Sequence, residues 1–196
     1  MVDEMGLQER IPLQDLDLLN RLSQYFDSLD QHLRAGHGWF IFNATGARGA
    51  RIASFIANRL RDYMPMATVY FVPWRDFSLN AYMVAVELES LRPQEGQLEG
   101  KVKKEFDIAT RVSRDAMVRM VAADLLIVSG MRPEHRHEVI FLDETVARRY
   151  DQRLSTILLT PYRADALAEA YEEVVPQSPF WERLYTRMYE RSFIAA

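Results

Sequence analysis

The residues best placed to do chemistry lie between Trp39 and Leu60, WFIFNATGARGARIASFIANRL. An apolar run (Trp39 to Phe42), a small-residue loop (Asn43 to Ala50) and apolar residues at Ile52, Phe55, Ile56 and Leu60 predict a buried strand, a loop and a helix. That order is the frame of a phosphate-binding loop. In such a loop glycines let backbone N–H groups wrap phosphate oxygens, a lysine reaches the β and γ oxygens, and a serine or threonine hydroxyl meets Mg²⁺. Laid on the GxxGxGKT pattern through Gly46, this loop has Asn43 first, Arg48 at the third glycine, Gly49 at the lysine and Ala50 at the hydroxyl. The frame is kept and the groups that grip phosphate and magnesium are gone. Arg48 and Arg51 leave two readings open: a guanidinium can hold a phosphate bidentately, or both can be solvated or paired with an acid on a neighbouring helix.

The elements that must position this loop alternate along the chain. Leu13 to Arg34 has a helical period at Leu16, Leu19, Leu22, Phe26, Leu29 and Leu33, and Gly36 and Gly38 end it. A second strand is expected over Ala67 to Val72, ended by Pro73, then a helix over Phe77 to Leu91 and a surface excursion, RPQEGQLEGK, over Arg92 to Lys101. A helix from about Val102 to Ala122 leads through Asp124 to a strand at Leu125 to Val128. Pro133 to His137 reads as a turn or helix start. Val139 to Asp151 is expected to be helical, with Arg148 and Arg149 near its C-terminal end, where cations suit the dipole. The strand Thr156 to Leu159, ended by Pro161, the helix Ala164 to Val174, the linker VPQSP, a last helix Phe180 to Arg191 and a short edge strand at Ser192 to Ile194 complete the chain. Strands separated by helices of crossover length predict an α/β fold of three α/β/α layers around a mainly parallel sheet. At its carboxyl ends the Asn43 loop, Ser129 and Thr160 should converge. Residues 1–36 are expected to lead into a domain spanning 37–196 without a separate lid.

Composition narrows the classes. With 196 residues, 48% of them hydrophobic, the chain suits one domain with a sizeable core. The net charge of −4 argues against a protein coated in nucleic acid and leaves room for a local basic patch. Without cysteine there are no disulfides or thiolate metal sites. His32, His37, His135 and His137 do not form a ligand set, so no metal is expected. The N-terminus MVDEMGLQER has no apolar signal region and no run reaches the ~20 apolar residues that cross a bilayer, so the expectation is a cytoplasmic protein without a membrane partner.

The order of these segments resembles the AAA+ helicase-loader and transposon-ATPase family of the DnaC and IstB type, from about residue 13 to 191. The matching pieces are GWFIFNATGARGARIASFIANRL, AADLLIV (122 to 128) before the position of the Walker B acids, and ARRYDQRLSTILLT (147 to 160) leading to sensor 1. FWERLYTRM (180 to 188) resembles the segment bearing a trans-acting arginine. The resemblance implies an AAA+-like P-loop sheet and places its catalytic positions. After LLIV the family has acids that organise magnesium and polarise water; this chain has Ser129 and Gly130. The sensor 1 asparagine falls on Pro161, with Thr160 the nearest hydrogen-bonding side chain.

Losing one arginine finger costs ~10³ to 10⁵ in turnover, and here several elements are absent together. The expectation is therefore a catalytically inactive, pseudo-ATPase member of the fold with no cofactor, weak ATP or ADP binding being left open. Such a chain would act by contacting proteins: an AAA+ ATPase, a helicase, or a second copy, in a DNA replication, helicase-loading or mobile-element machine. Arg183, Arg187 and Arg191 recur every four residues beside Trp181, Leu184, Tyr185 and Met188. By the resemblance Arg183 would reach a neighbour's nucleotide; by periodicity alone the three line a solvated face. Two aromatic clusters, Tyr70, Phe71, Trp74 and Phe77, and Phe180, Trp181, Tyr185 and Tyr189, read as core or as surfaces for a base or partner. The alternatives are a non-hydrolysing nucleotide sensor gripping phosphate with Arg48 and Arg51, and a DNA-binding accessory factor using arginine-rich helix faces.

Overall fold

A computed structural model of the chain describes residues 13–61, 67–87 and 100–196. The expected lead-in before residue 13, the end of the helix beyond residue 87 and nearly all of the excursion at 92–101 lie outside the described residues.

The short apolar runs become strands of a five-stranded parallel sheet, and the 3.6-period runs become the helices between them. In order these are α1 (Leu13–Asp27), α2 (Leu29–Ala35), β1 (Gly38–Ile41), α3 (Gly46–Leu60), β2 (Val69–Pro73), α4 (Trp74–Tyr82), α5 (Gly100–Ala122), β3 (Leu125–Ser129), α6 (Arg136–Asp151), β4 (Ser155–Leu159), α7 (Ala164–Val174), α8 (Phe180–Arg191) and β5 (Ser192–Ala195). The predicted single helix over 13–34 is two. At the break the Ser28 hydroxyl donates to the Gln24 carbonyl at 3.0 Å, one turn back, a bond that competes with helix continuation. Gly36, in the left-handed region at φ 71°, then closes α2. The helix expected to start at Phe77 begins three residues earlier, at Trp74, and continues as a π-helical turn over Met83–Glu87.

The strand order is β2-β3-β4-β1-β5, all parallel. Alternation along each strand splits the core in two. Trp39, Ile41, Ile127, Ile157 and Leu159 pack under α1 and α3 with Leu22, Phe26, Ile52 and Ile56. Phe40, Phe42, Leu126, Val128 and Leu158 pack on the other side with Phe77, Leu142, Leu167, Leu184 and Met188. This is the predicted three-layer α/β/α arrangement, with the short strand at the C-terminal end of the described chain forming an outer edge beside β1. From β1 the chain crosses toward β2; from β4 it crosses the other way, to β5. The crevice outside the carboxyl ends of β1 and β4 is therefore the topological switch point, where open parallel sheets bind ligands. Among the described residues no helix is long and apolar enough to cross a membrane.

Candidate functional site

At the switch point lies a cleft of roughly 250 Å³ whose lining includes Gly46, Gly49, Ala50, Ala53, Ser129 and Gly130. The loop after β1 and the end of β3 thus meet around one space. Among the described residues the cleft wall carries no charged side chain and a single hydroxyl, Ser129.

The backbone around the cleft is turned toward the protein. Phe42 N–H donates to the Ala195 carbonyl at 2.7 Å, Asn43 N–H to Tyr162 at 2.9 Å, Ala44 N–H to Thr160 at 2.8 Å and Thr45 N–H to Asn43 at 2.8 Å. These bonds fix the end of β1 and the first half of the loop; the N–H groups at the start of α3, from Gly46, carry no side-chain cap. Asn43 takes the left-handed conformation, φ 55°, which asparagine tolerates better than most residues. The helix α3 begins at Gly46, so the open loop is short. Gly49 is a glycine for a packing reason: a Cβ there would lie 2.4 Å from the Ala44 carbonyl oxygen. A lysine at this position has no room for its first side-chain carbon.

Both loop-side arginines are committed to an acid on a neighbouring helix. Arg48 Nε donates to Asp15 Oδ1 at 2.7 Å and its Nη1 to the Phe42 carbonyl at 2.9 Å; Arg51 Nη2 donates to Asp15 Oδ2 at 2.9 Å. Asp15 is 5% exposed. Its burial pushes the carboxyl pKa up, but the hydrogen bonds and charges of Arg51 and Arg48 together hold it below the usual value. Asp15 is not legible as a site residue, since in sequence it is one polar position in an amphipathic helix.

Thr160 is at the expected end of β4 but faces inward. It is fully buried; its hydroxyl donates to the Met131 carbonyl at 2.9 Å and accepts from Tyr162 N–H at 3.2 Å. It joins the loop after β3 to the loop after β4 and presents no side chain to the cleft. Gly130 sits at φ 73°, and nothing lies within 4 Å of the place a Cβ would take, so its side is open. Neither of the first two acids after β3 lines the cleft: Glu134 is exposed, and Glu138 is buried and caps α6, accepting from Glu134 N–H at 2.7 Å, His135 N–H at 2.9 Å and the Ser78 hydroxyl. The cleft residues therefore do not fit a magnesium-bound nucleotide, and among the described residues no cluster of His, Asp or Glu is arranged to hold a metal.

On the other face of the sheet from α3, α8 carries the arginine series. Arg183 donates to Asp143 of α6 through Nη2 at 2.8 Å and Nε at 3.3 Å, and Arg187 through Nη1 at 2.7 Å. The Arg183 guanidinium also lies 4.6 Å from the Phe180 ring centre. Arg191 lies 4.8 Å from the ring centre of Tyr150, whose hydroxyl donates to Glu190. All three thus have intramolecular contacts. Of the aromatic residues, Trp74 and Phe77 are core, whereas Phe71 and Tyr189 are exposed.

No protein-family model matches the chain, and no curated protein matches it. Among solved structures it is similar to a DnaC helicase loader, at 11% identity and a TM-score of 0.57, with 94% of this chain and 90% of that one covered. It is also similar to a DNA replication initiation factor, at 11% identity and a TM-score of 0.54, covering 96% of this chain and 48% of that chain, about half of its length. At such identity the likeness is one of fold. It agrees with the resemblance read from the order of segments, an AAA+-like P-loop architecture.

Proposed function

We propose that this chain is a catalytically inactive AAA+-like protein that works by contacting other proteins, in a DNA replication machine of the kind its structural neighbours' names describe or in a mobile-element machine. The observation that carries the reading is the inward-turned loop. Asn43 and Ala44 N–H groups bond Tyr162 and Thr160, Arg48 bonds Asp15 and Phe42, and the Gly49 side is filled by the Ala44 carbonyl. Among the described residues the cleft wall offers phosphate no cation and magnesium no carboxylate.

The nucleotide-sensor reading asks Arg48 and Arg51 to leave Asp15, exchanging a part-buried two-arginine carboxylate site for a solvated ligand. The DNA-binding reading has less support still, because Arg183 and Arg187 are already bonded to Asp143. The expected partner is a protein, an active AAA+ ATPase or a helicase. The test is a steady-state ATPase assay on the pure chain, calorimetry with Mg-ATP, and recovery of the chain with its partners from its host, followed by the same assays on the complex. No turnover by the pure chain is expected, and no ATP binding that filling the cleft with Ala53→Leu removes. Turnover above background, lost in Ala53→Leu, would refute the proposal.

A further inference from the structure

The opposite end of the sheet carries a second pocket, of roughly 200 Å³, between α1, β1 and β5. Arg21, Gln24 and Tyr25 reach it from one face of α1, at helical spacing i, i+3 and i+4, and Ser28 joins them from just beyond that helix. Its walls are rings. Tyr25 and His32 stack at 4.5 Å, and Phe193 tilts against Trp39 at 5.1 Å. Trp39 and Phe193 are register partners on adjacent strands, so the sheet itself fixes their separation.

Two features ask for a ligand of defined chemistry. Trp39 is 1% exposed, and its indole Nε1–H is buried without a hydrogen-bond partner among the described residues. A buried indole N–H normally finds an acceptor. Arg21 stands at the rim, its guanidinium 5.1 Å from the Trp39 ring centre, with one long bond, 3.5 Å, to the Ile194 carbonyl and no carboxylate bonded to it among the described residues. An acceptor for the indole, a flat surface for the rings and a negative charge for Arg21 are requirements that one molecule can meet together. A quaternary ammonium fails on the last two counts, since a cation already lies over the indole, and an aliphatic group leaves the N–H unmet.

We propose that this pocket binds one nucleotide, its base among Tyr25, His32, Trp39 and Phe193 with an acceptor edge toward Trp39 Nε1, and its phosphate at Arg21. The volume admits a base and leaves sugar and phosphate outside, toward the arginine at the rim. A free mononucleotide and a nucleotide within a single strand share this chemistry. The site lies at the far end of β1 from the cleft, so it stands or falls independently of the inactive-ATPase reading.

The full chain is titrated calorimetrically at low salt with AMP, with thymidine monophosphate and with a short oligothymidylate. Saturable binding is expected, weakened about tenfold by Phe193→Ala and by Arg21→Ala, with a shallower salt dependence for Arg21→Ala. Ala53→Leu, which fills the cleft at the other end, leaves it unchanged. Trp39→Phe keeps a ring and deletes the donor, and weakens binding likewise. Tighter binding of the oligonucleotide identifies a single strand as the source; equal affinity identifies the free nucleotide. Absence of binding by all three probes overturns the proposal. So does binding that survives both Arg21→Ala and Phe193→Ala, two substitutions at the pocket rim whose folding is checked by their melting curves.

Discussion

Adding one carbon at Gly49 measures how firmly the degenerate loop is closed. Glycine at the fourth position of α3 is unfavourable for the helix, so Gly49→Ala alone would gain about 1 kcal/mol of helix propensity. The added Cβ, however, would sit 2.4 Å from the Ala44 oxygen, and relief to an ordinary contact needs the carbonyl to retreat by about 1 Å. It has little freedom to do so. Ala44 N–H is bonded to Thr160 and Asn43 N–H to Tyr162, both on the loop after β4, and Gly49 N–H donates to Thr45 at 3.0 Å. Overpacking against a pinned backbone costs about 1–3 kcal/mol, and this site belongs at the upper end. The net expectation is a loss of about 2 kcal/mol, or about 4–8 °C in melting temperature for a chain of this size. Gly46→Ala is the control: nothing lies within 4 Å of its Cβ direction, so its cost, about 1 kcal/mol, is only the strain of φ 43°. Thermal unfolding of the three proteins by circular dichroism is the measurement. If Gly49→Ala melts at or above the parent, the Ala44 carbonyl yields easily, a lysine could be housed, and steric closure of the loop is wrong.

Two further substitutions probe the clamps around the fold. Asp15→Asn should cost about 2 kcal/mol in urea unfolding near neutral pH, between the values for exposed and buried ion pairs because Arg48 and Arg51 keep 19% and 33% of their side chains exposed. Asp15's folded pKa is depressed, so its stabilisation is fully present above the unfolded value of 3.8 and is lost as pH falls through the lower folded value; Asp15→Asn should flatten that acid limb, and an unchanged limb would sink the assignment. Arg149→Met should cost about 3–5 kcal/mol, read by the same unfolding experiment, because it strips donors from the carbonyls of Met120, Val121, Ala123 and Ser155 while leaving them buried; a cost under about 1 kcal/mol would show that water replaces the guanidinium.

Arg149 shows where sequence reading stops. Its place near the end of α6 suggests a cation serving that helix's own dipole. The side chain instead crosses to the C-terminus of α5, fully buried, and burial lowers its pKa to about 10 despite attraction from Asp124. Strands and layers are legible because Trp39 to Phe42, Leu125 to Val128 and Thr156 to Leu159 are apolar runs of strand length with punctuation at both ends. Pairings are not. Asp15 lies 33 residues from Arg48, and Asp143 lies 40 residues from Arg183. Charge type and helical phase name the candidates, but only the packing of α1 on α3 and of α6 on α8 selects the partners. The pocket at Trp39 is hidden for a related reason, because one wall comes from α1 and another from β5, at the other end of the described chain.

Some positions that depart from the nucleotide-binding pattern share a physical property that bears on how such a site is lost. Gly49 and Arg48, and Thr160 beside the sensor 1 position, have structural occupations. Gly49 makes room for the Ala44 carbonyl, Arg48 clamps α1 through Asp15, and Thr160 ties the loop after β3 to the loop after β4. Asn43 and Ala44 N–H bond Tyr162 and Thr160, which holds the first half of the loop in place within the chain. Restoring a lysine at Gly49 singly drives its Cβ into the Ala44 carbonyl, so on the proposed reading the route back to hydrolysis is blocked there by stability as well as by missing chemistry. Rebuilding the site would require the loop after β1, the loop after β4 and Asp15 to change together.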